Sequence, residues 1–203
     1  IGVNVKNLCQ KNFPKMELAK IGQWAEHHYV GTKCGLMDQI TSLFGKENEA
    51  LLIDFKKLEI KNIPIGFEDC EWFLINTNVH HSLASSAYNQ RRNECEMGLS
   101  IVQKQLPNIE CLRDISKSEL EKFAPVFSDT VYKRCLYVVE ENERVLAAVD
   151  ALSQKDPIKF GKLMYESHAG LRDAYEVSCK QLDFLVEMAS LDKNIFGSRM
   201  MGG

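Results

Sequence analysis

No stretch of this 203-residue chain is apolar for long enough to cross a bilayer, which takes about 20 residues in a helix. Runs such as Ala50–Ile53 and Trp72–Ile75 are far shorter, and no signal peptide opens the chain. A strong excess of one charge is also missing: 25 Lys plus Arg stand against 28 Asp plus Glu, a formal net charge of −3. Nothing therefore draws the whole chain toward nucleic acid or an anionic membrane. The seven cysteines are odd in number, widely spaced and without a Cys-x-x-Cys pair. That disfavours a zinc ribbon, a redox pair and a secreted disulfide framework, and reduced thiols in a cytoplasmic protein are the simpler expectation. Internal repeats and low-complexity segments are absent too.

What is present is a globular composition, 45% hydrophobic and 26% charged. A compact chain of this size buries roughly 70% of its extended surface, so one large domain or two small ones fit. The residues alone reach a mixed α and β protein. The start at Ile1 and the stop at Gly203, just after an apolar run, read as a piece of something longer.

Apolar spacing predicts a helix over Met16–Tyr29, ended by Gly31, and a short one after Gly35 with Gly45 as terminator. Ala50–Phe55 and Trp72–Asn76 read as strands, joined by an interdomain passage from Lys56 to Glu71. Helices are expected over Ala87–Leu106 and about Thr130–Ser153. Ser116 and Glu119 should form a capping box, and Asp156-Pro157 should open a further helix. Another helix begins near Ser178, and Ile195–Met201 reads as a strand leading into Gly202 and Gly203.

Asp38 falls in the first turn of its predicted helix, where free amides and the helix dipole favour a carboxylate. It could accept a proton from a substrate hydroxyl, or simply stabilise the helix start. Glu26 could help hold Mg²⁺. Its neighbours His27 and His28 point about 100° apart on a helix, so surface histidines are the default. The run Ser82-Leu83-Ala84-Ser85-Ser86 could bind an anion at a helix N-terminus or serve as a loop and cap. Arg91 and Arg92 could meet phosphate, with solvent or a surface ion pair as the default. His168 reads as a core histidine, Asn142 and Glu143 as buried hydrogen-bonding groups, and Arg172, Asp173 and Glu176 as a structural charge network. Glycines such as Gly202 and Gly203 allow close backbone approach to a ligand.

Several segments, taken in order, resemble the galactokinases of the GHMP sugar-kinase superfamily. They are Ala25-Glu26-His27-His28-Tyr29-Val30-Gly31, Cys34-Gly35-Leu36-Met37-Asp38-Gln39, Asn76-Thr77-Asn78-Val79-His80-His81 with the serine run through Tyr88, Glu166-Ser167-His168, Leu171-Arg172-Asp173, and Ser198-Arg199-Met200-Met201-Gly202-Gly203. The likeness runs over nearly the whole chain.

The resemblance implies an α+β, two-domain GHMP kinase fold: residues 1–64 as the remainder of an N-terminal nucleotide and sugar domain, and residues 65–203 as a truncated, helix-rich, ferredoxin-like C-terminal domain. It places the active site in the cleft between them. It implies ATP-dependent phosphorylation of D-galactose at the anomeric hydroxyl, with Asp38 as base. Gly35 and Tyr88 would lie against the sugar, Glu26 would be associated with Mg²⁺, and Gly202 and Gly203 would lie at the nucleotide. Galactose is the expected partner, with no nucleic acid or membrane, in a monomer. A sister kinase for N-acetylgalactosamine and a silent sensor of galactose and ATP are the alternatives. The family's N-terminal sugar signature with its catalytic arginine, and its Gly-Leu-Ser-Ser-Ser phosphate loop, are not in this sequence. The 203-residue chain alone is therefore expected to be inactive. His80, Lys180 and Met201 stand where arginine, proline and threonine are usual in the family.

Overall fold

The structure, a computed structural model, describes residues 13–79 and 84–201; the side chains of residues 84–88 lie outside the description. The chain divides into two compact units, Ile1–Gly66 and Phe67–Gly203. Among the described residues, no helix is long and apolar enough to cross a membrane, and the described cysteines are free thiols.

In the first unit, helix α1 covers Lys15–Ala25. It passes without a break into a π-helical turn, Glu26–Val30, which Gly31 ends at φ +80°. This left-handed conformation suits glycine. The sequence expectation of one α-helix to Tyr29 missed the widened turn. Helix α2 covers Met37–Phe44. Ala19 of α1 and Leu36 and Ile40 of the α2 region are buried together, with Ile53, Leu58 and Ile60 packed against them. Lys15 reaches across to donate to the Leu43 carbonyl at 2.7 Å, satisfying an acceptor left free at the end of α2.

Strand β1 (Glu49–Asp54) pairs antiparallel with β2 (Glu59–Pro64), with Ile53 opposite Ile60. The expected passage from Lys56 to Glu71 therefore contains a strand. Asp54 Oδ1 accepts from the amides of Lys56 and Lys57, each at 3.0 Å, and Leu58 takes φ +55°. These side-chain bonds build the turn that closes the hairpin.

The second unit is helical: α3 (Ala84–Gln103), α4 (Lys117–Glu121), α5 (Asp129–Ser153), α6 (Pro157–Asp173) and α7 (Lys180–Ser190). Its core joins Val102 of α3, Leu120 of α4, and Val131 and Cys135 of α5. The Ser116–Glu119 capping box is reciprocal, and Asp156 caps α6 by accepting from the Lys159 amide at 2.9 Å. Buried Arg134 of α5 donates to Glu94 of α3 at 3.1 Å, to Glu176 at 2.7 Å and to the Ala174 carbonyl. Arg91, expected at the surface, is also buried and pairs with Glu94. Burial by itself would raise the Glu94 carboxyl, but hydrogen bonds from Arg91, Gln90 and Arg134 outweigh it and hold the group below its usual range. Glu143 is exposed. Glu141 of α5 is instead partly buried; it accepts from Ser167 at 2.6 Å and pairs with Arg144.

Two expected strands are not formed. Trp72–Asn76 and Ile195–Met201 are irregular chain. Phe73 and Leu74 are 80% and 77% exposed. A strand exists only with a partner, and neither segment has a ladder partner among the described residues.

Candidate active site

Three of the candidate residues follow one another along the first unit: Glu26 in the π-turn, Gly35 in the loop and Asp38 in α2. A π-turn inside a helix is uncommon and recurs at functional sites. Here it lets the Glu26 carbonyl accept from both Gly31, at 3.0 Å, and Thr32, at 3.3 Å. The loop after Gly31 is pinned from the side. Gln23 Nε2 and His27 Nε2 both donate to the Cys34 carbonyl, at 3.0 and 2.8 Å. His27 thus has a defined task and a defined tautomer, with its proton on Nε2, which its expected surface role did not foresee. His28 does lie at the surface, donating from Nδ1 to the Trp24 carbonyl at 2.8 Å and stacked on the Trp24 ring.

The loop delivers an exposed Gly35, around which a Cβ would meet nothing within 4 Å. A ligand can approach the backbone there. Leu36 is buried and ends the loop, and Asp38 stands exposed in the first turn of α2. The next residue, Gln39, lies against Gly22 of α1, where a Cβ would come within 3.1 Å of Gln39 Cγ. Close packing of α1 on α2 therefore fixes the helix that carries Asp38 against the helix that leads to Glu26.

Glu26 is half-buried. Among the described residues, no group of three or more His, Cys, Asp or Glu side chains could hold a metal ion. A lone carboxylate suits Mg²⁺ only as one ligand in a sphere completed by water and phosphate oxygens. Glu26 fits the metal in that limited sense.

The remaining candidates belong to the second unit. The Tyr88 side chain and Gly202 and Gly203 lie outside the described residues, as do His80, His81, Ser82 and Leu83. The segment that leads into the glycines, Ile195–Met200, is laid on α6: Tyr165 donates to the Ile195 carbonyl at 3.4 Å, and Met200 is 3% exposed. Lys180 is the first helical position of α7, a place that accepts proline as well as lysine because its amide has no partner within the helix. Arg172 bonds its neighbour Asp173 at 2.7 and 2.8 Å, as a structural pair would.

Residues 1–46 match the family described as GHMP kinases N terminal domain. The chain is similar to a solved Lactococcus lactis galactokinase complexed with galactose, at a TM-score of 0.94 and 34% identity, covering 99% of this chain and 52% of that one. The fold is that of the GHMP kinases over the portion this chain spans. Among curated relatives, the galactokinase of Thermotoga maritima is 44% identical over 95% of this chain and 52% of its own length. That of Chloroflexus aurantiacus is 41% identical over 100% of this chain and again 52% of its own length. The chain spans about half the length of the curated relatives it matches.

Proposed function

We propose that this chain serves as part of a galactokinase, transferring the γ-phosphoryl group of ATP to the anomeric hydroxyl of D-galactose. The observation that carries the reading is Asp38: an exposed carboxylate in the first turn of α2, three residues after an accessible glycine in a loop clamped by two side chains.

Phosphoryl transfer relies on positioning and charge stabilisation more than on covalent catalysis. Asp38 accepts the anomeric proton as the sugar oxygen forms its bond to the γ-phosphorus. The bond from that phosphorus to the β–γ bridging oxygen breaks, and ADP leaves. Gly35 lets the sugar lie against the backbone, Tyr88 adds a side-chain contact to it, and Gly202 and Gly203 admit the nucleotide closely. Glu26 would hold Mg²⁺ as one carboxylate ligand, and the ion, when bound, would supply charge neutralisation at the phosphates.

The test is Asp38→Asn in the intact protein. Turnover should fall by about 10²–10⁴-fold while galactose binding, read by calorimetry, persists. Near-normal turnover removes Asp38 from the base role. Competition between galactose and N-acetylgalactosamine in the same protein should favour galactose. The 203-residue chain alone should make no galactose-dependent ADP.

A further inference from the structure

His168 of α6 is 1% exposed, and its two ring nitrogens face two different segments. Nδ1 lies 3.2 Å from the Met200 backbone nitrogen. An amide N–H can only donate, so Nδ1 supplies the lone pair and the proton sits on Nε2. Nε2 lies 3.2 Å from Oδ1 of Asp183 in α7, which also accepts from Ser178 Oγ at 2.6 Å. The neutral Nε2–H tautomer satisfies every partner at once.

Among the described residues, Met200 is the last with a backbone hydrogen bond to a side chain of another element before the glycine pair. Upstream, Gly161 and Gly197 are in backbone contact: a Cβ on Gly161 would fall 1.9 Å from the Phe196 carbonyl oxygen. The Tyr165–Ile195 bond lies further back still. Arg199, on the same segment, donates from Nε to the Met200 carbonyl at 3.0 Å and reaches Glu141 with Nη1 3.7 Å from Oε1, so the bond that ties the Met200 amide to α6 is the one to His168.

We infer that His168 is a positioning residue: while neutral, it fixes the backbone at Met200, two positions before Gly202. The functional half of this inference rests on reading Gly202 and Gly203 as nucleotide-facing; the anchoring half does not. Protonation at Nδ1 would set a donor against the Met200 donor and break the contact. The groups around the ring oppose one another. Burial disfavours the charged ring and outweighs Asp183 of α7, which favours it; Arg172 of α6 and Arg199 of the anchored segment disfavour it further. Glu187 of α7 and Tyr165 of α6 line the same surface hollow.

The experiment compares two amide variants of the intact protein. Asn places its oxygen near Nδ1 and can still accept from Met200. Gln places its amide near Nε2, keeps the Asp183 partner and leaves Met200 without an acceptor. Hydrogen exchange at the Met200 amide is read beside KM for ATP, KM for galactose and kcat. His168→Gln should accelerate Met200 exchange by roughly tenfold and raise KM for ATP several-fold, with KM for galactose unchanged. His168→Asn should restore both, and should lose the rise in KM for ATP expected of the wild type as pH falls through the His168 value, which burial holds below the ordinary 6.5. Equal behaviour of the two variants, or unchanged Met200 exchange in His168→Gln, overturns the inference. Gly202→Val separates the two readings. If it leaves KM for ATP unchanged, the nucleotide role of the glycines falls, and the functional half of this inference with it. If it raises KM for ATP while His168→Gln does not, His168 alone is overturned.

Discussion

Gln23 and His27 share one acceptor. Four residues apart on the α1 helix and its π-turn, they converge on the Cys34 carbonyl at 3.0 and 2.8 Å. At that oxygen the loop carrying Gly35 is tied sideways to the preceding helix by two side chains. The pair fixes the loop through its backbone and leaves the Gly35 and Asp38 positions open.

Because the acceptor is shared, its loss should be cooperative. Gln23→Ala or His27→Ala alone leaves the carbonyl with one donor and should cost about 0.5–1 kcal/mol. The double variant leaves it with neither, so its cost should exceed the sum of the single costs. Urea unfolding of the four proteins in the cycle reads the difference. Simple additivity would mean that water replaces both donors freely.

Arg134 and Glu176 form one ion pair but should differ sharply on truncation. Arg134 is 2% exposed, whereas the Glu176 side chain is 54% exposed. Arg134→Ala leaves the buried Glu94 carboxylate with Arg91 as its remaining cation. About 3 kcal/mol or more should be lost. Glu176→Ala should cost about 1 kcal/mol or less. Denaturant midpoints of the two variants give the ranking directly.

Acid should act in two stages. The Glu94 carboxyl is held below its ordinary 4.5 in the folded chain. Its contribution is therefore complete above that value and is lost as pH falls through the lower folded value. His168 is depressed as well, by burial, from an ordinary 6.5. The unfolded chain takes up that proton first, so stability begins to decline below about pH 6.5. Melting temperature followed from pH 8 to pH 4 should show the upper stage vanish in His168→Asn and persist in Glu94→Gln.

The helical unit is largely legible from sequence because its signals are local. The Ser116–Glu119 box, Asp156 before Pro157, and the long stripe of α5 each lie within a few residues of what they determine. Trp72–Asn76 and Ile195–Met201 mislead for the opposite reason: apolar character shows β-propensity, but a ladder needs a partner that no local pattern supplies. Strand β2 is hidden by Pro64 and Gly66, which suggest a passage although Pro64 sits at the very end of the strand. The first-turn position of Asp38 is visible in the sequence. The tasks of Gln23, His27 and Arg134 are not, because each depends on a carbonyl or carboxylate brought in by the fold. Glu141 and Glu143 are only two positions apart, and helical phase alone decides which one is turned inward.

Gly161→Ala tests the backbone contact beneath the Ile195–Met200 segment. The added methyl would meet the Phe196 carbonyl at 1.9 Å, so a backbone must move. A loss of about 1–3 kcal/mol is expected, read by thermal melting. Met200 hydrogen exchange should accelerate in the same variant.

The π-turn has a consequence for insertions and deletions. It closes each hydrogen bond over one residue more than an α-helix does. Removing one residue from Glu26–Val30 would let the chain close as ordinary α-helix, rotating the downstream loop and α2 by about 100° and drawing them back by about 1.5 Å. The Cys34 carbonyl would then leave the reach of its two donors. The placement of Asp38 thus depends on how many residues the turn contains more than on which ones. Side chains as exposed as Tyr29, at 80%, can change freely, whereas the count of five between Ala25 and Gly31 cannot.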